Sequence, residues 1–189
     1  MTSQELFNYA NNSYQNARGL VGKMSEVVAH AHPEFNTNAA YAKLDVIVQY
    51  MLLETALADG RFSPIEGEFI DKITDTFDVI NLFRDIPQGR NWHWFATNRS
   101  FSEIKDTISR LRGMAQQHMM EFANLFAIVD AAYEDFDILG ELLGYLGEIA
   151  GCFTRIDGSH EEREVNIAAS VVKNYLAAPW ISMMDNVRR

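Results

Sequence analysis

The chain has 189 residues, 48% hydrophobic and 22% charged, enough to bury a sizeable core in one compact domain or two small ones. Its 16 Lys and Arg against 26 Asp and Glu leave a net charge of −10, which argues against a face built for nucleic acid or anionic lipid and favours cationic partners. The single cysteine, Cys152, excludes an intrachain disulfide or a thiolate metal cluster, and neither a signal-peptide pattern nor an apolar run of about 18 residues is found, so the expectation is a cytoplasmic chain without a membrane span.

Leu6, Ala10, Tyr14, Ala17, Val21, Met24, Val28 and Ala31 recur every three or four positions, the spacing of one helical face. Thr2 and Glu5 form a capping box at the start of this helix, and Pro33 ends it. A second helix is expected from about Ala39 to Ala58, burying Leu44, Ile47, Val48, Met51, Leu52 and Thr55. A third opens on Ser63-Pro64-Ile65-Glu66, an N-cap serine, a proline at the first helical position and a capping-box glutamate, and is expected to reach about Phe77.

Asp78 to Arg99 reads as a long connection with short helical pieces, and its cluster Trp92-His93-Trp94-Phe95 suits a loop stapled to the core better than an interaction hot spot. Ser100 and Glu103 then cap a long helix through Ile108, Leu111, Ala115, Met119, Phe122, Phe126 and Val129. A further helix is expected from the acidic corner at Tyr133–Asp137 to about Ile156, and another from Ser159 or His160 to about Ala177. With no strand pattern anywhere, the fold class is all-α, a bundle of six or seven helices. Residues 1–38 would be an amphipathic helix packed on the domain, 39–177 the domain itself with an aromatic insertion at about 78–100, and 178–189 a short tail.

Gly140, Gly144, Gly147 and Gly151 share one stripe of the fifth long helix, although each costs about 0.5–1 kcal/mol against alanine. The stripe predicts a second helix crossing there at close range.

Residues 44–73 align with 142–171 at an offset of 98, pairing Leu44 with Leu142, Val48 with Leu146, Met51 with Ile149, Ala58 with Ile156 and Phe69 with Ile167. Asp59-Gly60 falls on Asp157-Gly158, the only two Asp-Gly pairs in the chain, and a glutamate stands seven positions after each aspartate, Glu66 and Glu164. The alignment predicts an internal repeat of a helix-loop-helix unit. In each unit an aspartate at a helix end, a glycine free to take positive φ and a glutamate in the next helix's first turn can converge, and carboxylates suit a hard cation such as Ca²⁺. Neither loop is a standard EF-hand: with Gly60 at the sixth position, the first and third ligand positions fall on Thr55 and Leu57, and in the second copy on Phe153 and Arg155. Glu66 can equally serve only to cap Ser63, and an acidic first turn suits a helix dipole in any case.

The segment Leu57-Ala58-Asp59-Gly60-Arg61-Phe62-Ser63-Pro64-Ile65-Glu66, with Ile156-Asp157-Gly158 and Glu164, resembles the paired acidic motifs of the TerB-like tellurite-resistance family; Glu161 stands where the first motif has Ser63. The resemblance implies an all-helical, internally repeated domain, a divalent cation such as calcium held by Asp59, Glu66, Asp157 and Glu164, and a role in stress or tellurite resistance. His30, His32 and His118 lack zinc-site spacing, no Glu-x-x-His, Walker or nucleophile-elbow motif occurs, and no enzymatic activity is expected. The alternative to a cation site is a metal-free protein-interaction scaffold.

Overall fold

The computed structural model describes residues 1–74, 89–132, 137–158, 166, 168–171, 173 and 174. Every regular element among them is helical: α1 (Ser3–Ala31), α2 (Thr37–Ala56), a one-turn 3-10 helix (Leu57–Asp59), α3 (Pro64–Ile73), α4 (Trp92–Asn98), α5 (Phe101–Ala132) and α6 (Ile138–Phe153). No helix among the described residues is long and apolar enough to cross a membrane.

The helix starts follow local capping chemistry. Thr2 N–H donates to the Glu5 carboxylate at 2.6 Å while Glu5 N–H donates to Thr2 Oγ1 at 3.3 Å, and Ser100 with Glu103 repeats the arrangement at 2.9 and 3.3 Å. The Asn36, Asn91 and Asp137 side chains cap α2, α4 and α6, each accepting from the N–H three residues on. Two helices end earlier than expected. Thr74 has an extended backbone, φ −116° and ψ 162°, so α3 stops at Ile73 instead of about Phe77, and α6 gives way after Phe153 to turns that run through Asp157. Periodicity marks which face is buried, whereas the last turn of a helix is set by backbone angles that side-chain spacing does not record.

The main packings are α1 along α6, α2 along α5 and α3 against α4, with α2 also touching α1, α3 and α6. That central position explains why α2 is buried all round, without a break from Leu44 to Leu53, instead of on one face. Its polar members are satisfied internally. Tyr14 donates to Asp45, the Trp92 indole N–H donates to Gln49 Oε1 at 2.6 Å, and Thr55 Oγ1 donates to Met51 O at 2.9 Å. Trp92 and Phe95 are fully buried, so the aromatic cluster staples α4 to the core as expected.

α4 is held by backbone proximity as well. Asp71 accepts from the Trp92 and His93 N–H groups at 2.9 Å each, and a Cβ at Gly67 of α3 would lie 2.6 Å from Trp92 O and 2.7 Å from His93 N. Gly67 is where two helix backbones meet.

The glycine stripe of α6 is not. Among the described residues no atom lies within 4 Å of a Cβ built at Gly144, Gly147 or Gly151, Gly144 and Gly147 are exposed, and Gly140 faces the side chain of its own cap, Asp137. The expected close helix crossing is not made by any described helix. The buried face of α6 carries Leu139, Leu142, Leu146, Ile149 and Phe153, while Gly144 and Gly147 are exposed and Gly140 and Gly151 half-buried.

Candidate functional site

The two Asp-Gly corners adopt the same local turn. Gly60 has φ +82° and donates its N–H to Leu57 O at 3.2 Å, and Gly158 has φ +80° and donates to Arg155 O at 3.3 Å. Left-handed backbone of this kind follows a helix end and strains any residue with a Cβ, which accounts for glycine at both places. The aligned apolar positions that are described, Leu44 with Leu142, Val48 with Leu146, Met51 with Ile149 and Ala58 with Ile156, are buried in both copies. The second helix of the second unit falls largely outside the described residues.

A chain of three rings positions the corners. Phe69 of α3 stacks on Phe7 of α1 with centroids 5.1 Å apart and meets the edge of Phe153, the last residue of α6, at 5.4 Å. The start of α3 and the end of α6 are thus drawn to one region, and Arg61 of the first corner reaches Asp157 of the second, Nη2 to Oδ2 at 3.3 Å. The Arg61 side chain is 58% exposed and that of Asp157 18%.

Of the four carboxylates singled out from sequence, Glu66 is buried, 5% exposed, and completes a capping box in which Ser63 N–H donates to its Oε2 at 2.6 Å and its own N–H donates to Ser63 Oγ at 3.4 Å. Asp157 holds Arg61. The backbone of Asp59 ends the 3-10 turn, while its side chain, and the whole of Glu164, lie outside the described residues. The first and second motifs are thus joined through Arg61, a residue that sequence reasoning passed over as part of the Asp-Gly-Arg run. Among the described residues no three His, Cys, Asp or Glu side chains come together as a metal site.

Other reactive groups in the neighbourhood are quiet. Cys152 is 5% exposed and its thiol is pushed up by burial, Glu148 adding to the rise and Arg155 opposing it, so the sulfur stays protonated. It lines a cavity of about 270 Å³ with Met1, Leu6, Tyr9, Gly151 and Arg155. Chemically, the joined corners can hold a positively charged group between two helix ends, and a guanidinium already sits there.

No family model, curated protein or solved structure matches the chain.

Proposed function

We propose that this chain is a non-enzymatic, all-helical binding module, TerB-like in its motifs, whose joined Asp-Gly corners take up a divalent cation of the calcium type. A cytoplasmic setting and a role in stress or tellurite resistance follow from the composition and the resemblance. The observation that carries the reading is the Arg61–Asp157 contact, which links two motifs 98 residues apart and holds a cationic group between them. The donors suit a hard cation, being carboxylates beside turn carbonyls, and Asp59, Glu66, Asp157 and Glu164 would hold it. A basic side chain of a protein partner is the other group that this charge would accept.

Calorimetric titration of chelator-treated protein with calcium tests the reading, together with thermal unfolding. A ligand that binds only the folded state stabilises it by RT ln(1 + [L]/Kd), so a site of roughly 10⁻⁴ M affinity adds about 1.4 kcal/mol in 1 mM calcium. Sodium chloride at equal ionic strength should not reproduce the gain, since screening alone also relieves carboxylate repulsion. The double variant Asp59→Asn with Asp157→Asn should lose the calcium-specific part and keep the fold. If wild type and double variant gain equally, or neither gains, the metal-free scaffold replaces this reading. The buried capping role of Glu66 favours that second possibility, because it gives the glutamate a structural reason to be there.

A further inference from the structure

The short helix α4 presents an aromatic and cationic surface on a chain whose net charge is −10. Arg90, just before the helix, and Arg99, at its C-cap, both lie over the ring of Trp94, with their guanidinium carbons 4.8 and 5.5 Å from the ring centroid. Trp94 is half-buried and fixed, its edge against Phe95 at 5.5 Å and its N–H donated to Asn91 at 2.9 Å. The whole helix is anchored through Asp71, Gly67 and the buried Trp92. Two like charges on one indole repel each other, and among the described residues only Arg99 has a carboxylate, Glu103 at 2.7 Å. Arg90 is exposed and makes no ion pair among the described residues.

A guanidinium that covers a ring spends its flat face there and keeps the fork of N–H groups at its edge, the geometry that grips a carboxylate with two parallel bonds. We infer that the Arg90–Trp94–Arg99 surface is a docking point for an acidic peptide, whose carboxylates bridge the two guanidinium groups. Charge complementarity selects this occupant over the alternatives. Phosphate is commonly held by free backbone amides, but those of Trp92, His93 and Trp94 are already taken by Asp71 and Asn91. A nucleic acid would extend beyond the two arginines into the field of a strongly acidic protein. A short acidic segment needs only the clamp.

Fluorescence anisotropy of a fluorescein-labelled hexaglutamate peptide, titrated with the full chain in about 0.1 M salt so that distant charges are screened, tests this. Arg90→Gln and Arg99→Gln should each weaken binding by about tenfold, and the double variant should abolish it. Arg155→Gln, an exposed arginine elsewhere, should bind like wild type. Arg90→Lys keeps the charge without the fork and should fall between. Because Arg90 is exposed, its variants keep the test independent of folding, which far-ultraviolet circular dichroism verifies. No binding, equal binding by Arg90→Gln, a loss in Arg155→Gln as large as in Arg90→Gln, or tighter binding of a labelled oligothymidylate than of hexaglutamate would overturn the inference.

Discussion

Gly67 and Gly147 both sit inside helices, yet replacing each with alanine should move stability in opposite directions. In a helix interior alanine is favoured over glycine by about 1 kcal/mol, mostly through the entropy that glycine loses on folding. At Gly147 no atom of the described residues lies within 4 Å of the added methyl group, so the full gain of about 0.5–1 kcal/mol should appear. At Gly67 the methyl group would lie 2.6–2.7 Å from Trp92 O and from the N and Cα of His93, all backbone atoms that cannot rotate aside. Relieving the contact requires α4 to move off α3 by several tenths of an ångström, against the two Asp71 hydrogen bonds at 2.9 Å and the buried Trp92–Gln49 bond at 2.6 Å. Overpacking of this kind costs about 1–3 kcal/mol and each weakened hydrogen bond up to about 1 more, which outweighs the propensity gain. The net expectation for Gly67→Ala is a loss of about 1–3 kcal/mol. At roughly 2–4 °C per kcal/mol for a chain of this size, Tm should fall by about 2–12 °C, while Gly147→Ala raises it by about 1–4 °C. Thermal and urea unfolding followed by circular dichroism at 222 nm reads both. A Gly67→Ala protein as stable as wild type would show that α3 and α4 do not approach at their backbones, and a destabilised Gly147→Ala would restore the crossing helix.

Glu66→Ala should lower the urea midpoint by the equivalent of about 0.5–2 kcal/mol by undoing the Ser63 capping box, and Glu66→Gln should lose less because an amide oxygen still accepts from Ser63 N–H; equal midpoints for all three proteins would remove the cap from the account. His118 should make stability fall on acidification. Burial holds its imidazole below the ordinary histidine range, outweighing Glu121, whose carboxylate accepts from Lys43 at 2.6 Å and lies 3.6 Å from Nδ1, and among the described residues Nδ1 has no hydrogen-bond partner. The unfolded chain therefore binds the proton first, so this contribution is complete above about pH 6.5 and is lost as pH falls through the lower folded value. Between about pH 8 and 5 the urea midpoint of wild type should fall relative to that of His118→Gln, and parallel curves would refute the assignment.

What the sequence makes legible here is chemistry that acts over three or four residues. Thr2 with Glu5, Ser63 with Glu66 and Ser100 with Glu103 mark helix starts because both partners of each capping box lie within one turn, and the two Asp-Gly pairs mark left-handed corners because only glycine takes that backbone cheaply. Contacts across the bundle leave no such trace. Asp45 and Gln49 look like the polar side of α2, and their burial depends on Tyr14 and Trp92, 31 and 43 residues away. Glycine is ambiguous for the same reason. The regular spacing at Gly140, Gly144, Gly147 and Gly151 suggested a close crossing, whereas the isolated Gly67 makes one, because what decides is a backbone from another part of the chain. Arg61 was overlooked because its partner, Asp157, lies 96 residues on.

The joined corners also determine which substitution separates cation binding from architecture. Glu66 is a poor choice, since a 5% exposed carboxylate that caps α3 changes stability when altered, whatever else it binds. Asp157 is better. Its partner Arg61 is 58% exposed, and ion pairs with so exposed a member contribute about 0–1 kcal/mol, so Asp157→Asn should leave the unfolding midpoint without calcium nearly unchanged. Arg61→Gln removes the guanidinium that any added cation must displace or share Asp157 with, and should strengthen calcium binding if the corner is a cation site. The two variants then diverge in calcium, one losing the response and the other enlarging it, and stay close without it. A purely structural corner predicts that neither variant responds to calcium differently from wild type.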